Sequence, residues 1–279
     1  MNKVFKSTEG RGAVLSLYDR ALQESGLDLI THNMETPLGK THVLEYGNPD
    51  NPPLLLIHGT GSSAAFFLYA LPELAVRYHV FLPDIPGEPG KSEDSRFSCR
   101  GDGFSRWLQA ILETLSIEKV HMAGQSLGAW ASLRFALDHP ERVKSVRLIS
   151  PSGLASPKIS YIPLFIWSLA RGDKGVKDMI ARLHNSSAEE ISPEEMEAFR
   201  VMMKHCRPRE EAPPLFTDTE LSSLAVPLLY LAGDKDILLN TEKSVRRLKS
   251  LVPGAVCSVY PDGGHALTLW RTDFMAFDC

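Results

Sequence analysis

A mostly parallel α/β sheet with helices on both faces is the fold class this 279-residue sequence predicts. Three observations carry that reading. The apolar runs LLLIH, HVFLP, KVHMAG, VKSVRLIS, VPLLYLAG and AVCSVY recur along the chain without the alternation of a half-exposed strand, which predicts strands covered on both sides. Helix-like segments separate the runs, giving the alternation of the α/β class. The composition, 43% hydrophobic and 23% charged, suits a globular chain with one large core and excludes a disordered one.

Taken in order, Val14, Leu15, Leu17, Tyr18, Ala21 and Leu22 share one broad face and predict an amphipathic first helix. LDLITHNM and KTHVLEYG then predict a hairpin around TPLG. Between LISPSG and VPLLYLAG the strand rhythm stops for about seventy residues, longer than the connections usual in such units, which predicts a helical insertion. ISPEEMEAF within it carries start signals: Ser192 and Glu195 as a capping box, Pro193 at the first helical position, and Ile191 placed to staple onto Met196. That helix should stop near RPREEAPP. The predicted division is a core formed by residues 1–153 and 223–279, with a helical cap over 154–222. YIPLFIWSLA reads as a cap helix packed on the sheet, with the lining of an acyl pocket as the alternative.

A formal net charge of −4 with no basic cluster argues against nucleic acid or an anionic membrane surface as partner and leaves a small molecule. The first residues carry no export signal, and no run reaches the roughly 20 apolar residues of a membrane span. Cys99, Cys206, Cys257 and Cys279 are scattered and form no CxxC pair, so a reducing, cytoplasmic location is expected.

GQSLG, residues 124–128, sits between the strand KVHMA and a helix over Ala129 to Asp138. A serine at such a strand-to-helix apex has its hydroxyl exposed, with glycines beside it because a Cβ would collide with neighbouring elements. The helix start directs its amides and positive dipole end at the same point, which favours an oxyanion formed by attack of Ser126. A hydroxyl needs a base and a group to orient the base. YLAGDKDIL places Asp234 and Asp236 past one strand end, and PDGGHALT places His265 past the next. Strand ends of a parallel sheet share one edge, so Ser126, His265 and Asp236 can converge in the chain order Ser, Asp, His. The oxyanion donors expected are the amides of Leu127, after the nucleophile, and Thr60, in the HGTG loop after LLLI.

On HGTG, DIPGEPGKS, GQSLG, GDKD and GGH in that order, the chain resembles the α/β-hydrolase superfamily, in particular its capped, bacterial carboxylesterase-like members, from about Leu27 onward. The resemblance implies Ser126 as nucleophile, His265 as general base then acid, and Asp236, three residues after the glycine ending its strand, as the orienting acid in place of Asp234. That chemistry needs no cofactor, and no HExxH or CxxC spacing gathers ligands for a metal. Two features depart from the family pattern: Ala129 stands where a second glycine is common, and the loop DIPGEPGKS carries one extra residue, with Glu88 and Pro89 between Gly87 and Gly90. A serine hydrolase of esters or thioesters is therefore expected. The same triad also serves carbon–carbon hydrolases, peracid-forming enzymes and lyases, and the fold also serves ligand receptors. GEPGKS is not a phosphate loop, since Ile85 stands where its first glycine belongs and Pro86 and Pro89 remove amide donors.

Overall fold

The computed structural model describes residues 3–267 and 271–277, and Cys279 lies outside them. Helix α1 (Thr8–Ser25) precedes the hairpin β1 (Ile30–Thr36) and β2 (Gly39–Tyr46). There follow β3 (Pro53–Ile57), a 3₁₀ segment Ala64–Ala70 running into α2 (Leu71–Leu74), β4 (His79–Pro83), α3 (Gly103–Thr114), β5 (Val120–Gln125), α4 (Leu127–Asp138) and β6 (Val143–Ile149). The insertion carries α5 (Tyr161–Ala170), α6 (Gly172–His184), α7 (Pro193–His205) and α8 (Asp218–Ser222). The chain returns to the sheet with β7 (Leu228–Gly233), α9 (Thr241–Leu251), β8 (Val256–Tyr260) and α10 (Arg271–Ala276).

The strands lie in the order β1-β2-β4-β3-β5-β6-β7-β8. β2 runs antiparallel to β1 and β4, and the remaining pairs are parallel. The unbroken apolar runs have the cause expected of them. In β3, Leu55 and Ile57 join the core under α3 and α4 with Trp107, Leu127 and Phe135, while Leu54 and Leu56 join the opposite core with Phe67, Leu71 and Phe274. AVCSVY departs from this pattern. It forms β8, last in the strand order, and Val256 and Val259 remain 48% and 40% exposed.

Inside the insertion, α5 packs against α6. Ile162, Ile166 and Trp167 are 47%, 62% and 51% exposed, so YIPLFIWSLA is not the sheet-covering helix its apolarity suggested. α7 starts as its signals indicated, with Ser192 Oγ accepting from Glu195 N and Pro193 in the first turn. The Glu195 carboxylate, however, turns away from Ser192 to His184 Nε2 at 2.6 Å, so only half of the capping box forms. Ile191 and Met196 are buried together with Val176 and Ile180. α1 lies along α7, tied by an Arg20–Glu197 ion pair of 2.5 Å, so the N-terminal helix joins the layer built by the insertion.

Candidate active site

The turn from β5 to α4 is tight because three backbones meet there. A Cβ on Gly124 would lie 2.3 Å from the Gly128 carbonyl carbon, and one on Gly128 would lie 2.1 Å from Ile57 O. Only glycine fits either position, and Ala129, fully buried, fits where the resemblance expected a further glycine. Ser126 takes φ 52° and ψ −108°, a left-handed conformation that L residues avoid. It is held there by Ser126 N donating to Ile149 O at 3.0 Å and by its own carbonyl accepting from Trp130 N and Ser152 N. Leu127 is the first residue of α4, where a helix leaves its amide without an intrahelical acceptor.

His265 and Asp236 form a buried pair, with Nδ1 2.8 Å from Asp236 Oδ2 and relative exposures of 9% and 1%. Asp236 Oδ1 accepts from Leu238 N and Leu239 N at 2.7 and 2.9 Å. Burial works against the charged carboxylate, but the charge and hydrogen bond of His265 and the two amides outweigh it and hold the Asp236 pKa below the ordinary carboxylate range. Asp234 is engaged elsewhere, with Oδ1 accepting from Asp262 N at 2.8 Å and Oδ2 pairing with Lys235 at the surface, which ties together the loops after β7 and β8. Of the two acids in GDKD, Asp236 is therefore the one joined to the imidazole.

The His265 loop abuts the elbow, since Gln125 Nε2, next to Ser126, donates to His265 O at 3.4 Å. Ser126 Oγ itself points to Ser152 Oγ at 3.4 Å, a neighbour from the loop after β6 that no sequence signal marked. In the HGTG loop, Gly59 packs on the elbow so closely that a Cβ there would be 3.4 Å from Ser126 Cβ. Thr60 follows it and is exposed. His58 is fully buried beneath: its Nδ1–H donates to Gly59 O at 2.8 Å, and its Nε2 accepts from Ile85 N at 2.9 Å. Burial brings its pKa down to about 4, against the opposing pull of the Gly59 carbonyl, so the ring is neutral in this one tautomer. Trp130, beside the elbow, is packing, with Nε1 donating to Pro214 O and its ring against Phe104 and Phe216.

The strand order, the strained serine at the β5–α4 turn and the His265–Asp236 pair at the ends of the following strands stand in one fold, and a family model described as the alpha/beta hydrolase fold matches residues 52–191. The chain belongs to the α/β-hydrolase family. Within this family it is similar to an uncharacterized carboxylesterase, nap, of Bacillus subtilis strain 168, at 29% identity over 87% of this chain and 82% of the relative. It is similar also to carboxylesterase YbfK of the same organism, at 27% identity over 97% and 93% of the two chains. Among solved structures, naproxen esterase (carboxylesterase NP) from Bacillus subtilis superposes with a TM-score of 0.85 at 25% identity, over 97% of this chain and 96% of the other. This α/β hydrolase is thus carboxylesterase-like in sequence and in fold. No helix among the described residues is long and apolar enough to cross a membrane.

Proposed function

We propose that this hydrolase cleaves the carboxylic ester or thioester of a small molecule through an acyl-enzyme on Ser126. The observation that supports this above the rest is the hydrogen-bonded His265–Asp236 pair at the sheet edge where Ser126 stands strained at the elbow. The similarity to carboxylesterases supports an ester as the substrate class. In the reaction, Ser126 Oγ turns from Ser152 toward His265 and attacks the carbonyl carbon while Nε2 takes its proton. Asp236 keeps the proton on Nδ1 and stabilises the imidazolium. The amides of Thr60 and Leu127 receive the oxyanion. The C–O or C–S bond then breaks as the leaving group takes the proton from Nε2, and water, deprotonated by the same nitrogen, releases the acid.

Residues 154–222 serve in this reading as the cap. Their contacts with the strand-end loops support it: Ala266 N donates to Leu183 O at 2.9 Å, Lys158 Nζ donates to Asp236 O at 2.6 Å, and Met202 Cε would lie 3.9 Å from a Cβ on Gly61.

The test is a fluorophosphonate together with an activated short-chain ester such as p-nitrophenyl butyrate. The expected result is a single phosphonyl adduct on Ser126 and turnover that falls at least about a thousandfold in Ser126→Ala. An adduct elsewhere, or undiminished turnover in Ser126→Ala, would discard the proposal.

A further inference from the structure

Glu88, in the lengthened loop after β4, is buried to 1% exposure. Both of its carboxylate oxygens are engaged. Oε2 accepts from Gly61 N at 2.8 Å, in the HGTG loop, and Oε1 accepts from Arg209 Nε at 2.6 Å, in the strap that leaves α7. The Arg209 side chain is 3% exposed and is itself aimed by Nη1 donating to Phe97 O at 3.1 Å. A second arginine repeats the connection on the backbone: Arg96 Nε donates to Gly87 O at 3.0 Å while its Nη1 and Nη2 donate to Pro208 O and Arg207 O. The loop of Glu88 is thereby fixed between the oxyanion loop and residues 207–209.

Peptide geometry gives this arrangement a consequence for Thr60. Its amide belongs to the Gly59–Thr60 peptide plane, whose carbonyl is held by His58 Nδ1–H at 2.8 Å. In a trans peptide N–H and C=O point oppositely, so pinning the carbonyl aims the amide. Rotation at Thr60 is the remaining freedom, and it is limited by fixing the next plane, Thr60–Gly61, through its N–H. Glu88 supplies that second pin.

Resting on the reading of Thr60 as an oxyanion donor, we propose that Glu88 is a positioning residue: it sets the Thr60 amide through Gly61 and, through Arg209, makes that setting depend on the strap following α7. A positioning group acts on the transition state more than on the bound substrate, so its loss falls on kcat. Gln at 88 keeps an oxygen for Gly61 N but turns an amide donor toward Arg209, leaving a buried charge unpaired. Replacing Arg209 by Met at the same time removes that charge while keeping the pin.

The experiment compares wild type, Glu88→Ala, Glu88→Gln and the double variant Glu88→Gln/Arg209→Met with p-nitrophenyl butyrate and with an aryl trifluoromethyl ketone, whose adduct with serine carries an oxyanion. Hydrogen exchange of the peptide spanning residues 58–63 is followed in each folded variant. In Glu88→Ala, kcat is expected to drop about 10–100-fold with KM within about threefold, ketone affinity to fall in parallel, and the Gly61 amide to exchange at least about tenfold faster. The double variant is expected to recover kcat to within about tenfold of wild type and to restore protection. Unchanged kcat and protection in folded Glu88→Ala, a loss confined to KM, or a double variant no better than Glu88→Ala would overturn the proposal. Should Glu88→Ala not fold, the double variant against Glu88→Gln gives the same comparison. If the wild type itself neither turns over ester nor binds the ketone, the hydrolase reading fails, and the exchange data still decide whether Glu88 holds the loop.

Discussion

Ser126 sits in a backbone conformation that costs an isolated residue about 1–3 kcal/mol, and it stays there because Ile149, Trp130 and Ser152 hold its amide and carbonyl. The elbow serine and the loop histidine could be picked out of the sequence by their glycine-rich settings. Spacing alone left Asp234 and Asp236 both open, because only Lys235 separates them and spacing does not record which way a loop turns, and the choice of Asp236 came from the family resemblance. The structure gives the two acids different partners, and the difference is measurable. Asp236→Asn would hold the imidazole with a donor where an acceptor is needed, favouring the wrong tautomer, so kcat should fall roughly a thousandfold to ten-thousandfold. Asp234→Asn keeps an oxygen for Asp262 N and should stay within about threefold of wild type. Steady-state kinetics on one ester with both variants decides it, since equal losses would remove Asp236 from the role. The partners of Ser152, Glu88 and Lys158 went unseen for a common reason: each is reached across 26 or more residues of chain, and only the fold brings them together.

Among the elements, the elbow shows most directly how packing dictates residue type. β3, β5 and α4 approach closely enough that the Gly128 position faces Ile57 O at 2.1 Å from any Cβ, whereas Gly12 on the exposed side of α1 has nothing within 4 Å. The same substitution should therefore act in opposite directions. Gly128→Ala must push strand and helix apart and is expected to cost about 3 kcal/mol or more. Gly12→Ala relieves the entropic penalty of glycine in a helix interior and should stabilise by about 0.5–1 kcal/mol. Urea melts of both variants test this, and a destabilised Gly12→Ala would contradict the placement of that helix face. Element type was legible wherever both faces of a strand are covered, as in β3, because burial leaves an unbroken apolar run. It was less legible where position in the molecule overrides composition. The run AVCSVY looks interior yet forms an edge, and YIPLFIWSLA looks like core yet leaves Ile166 and Trp167 outside, since neither run records which neighbours it will have.

At the scale of the whole molecule, the loops at the sheet edge rest on a buried layer of ionisable groups that the sequence did not disclose as a unit. Asp84, fully buried, accepts from Ala64 N at 2.7 Å and Lys91 N at 2.8 Å, with His58 Nε2 3.9 Å from Oδ1. Burial raises its pKa to about 6 in spite of those amides, while burial lowers that of His58 to about 4. The two act on stability with opposite signs. The folded state keeps a proton on Asp84 that the unfolded chain releases near pH 4, so the contribution of Asp84 is whole below about pH 4 and is lost as pH rises to about 6. His58, neutral when folded, contributes above about pH 6.5, and its contribution is lost as pH falls toward about 4. Across the shared window the two slopes offset each other, and removing one group exposes the other. The stability of wild type minus that of Asp84→Asn should accordingly fall by on the order of 2 kcal/mol between about pH 4 and pH 6, read from urea melts at each pH. A difference that stays level or grows with pH would mean that Asp84 is already ionised at pH 4 within the fold, and that the support beneath the HGTG loop is a fixed charge and not a proton-sensitive one.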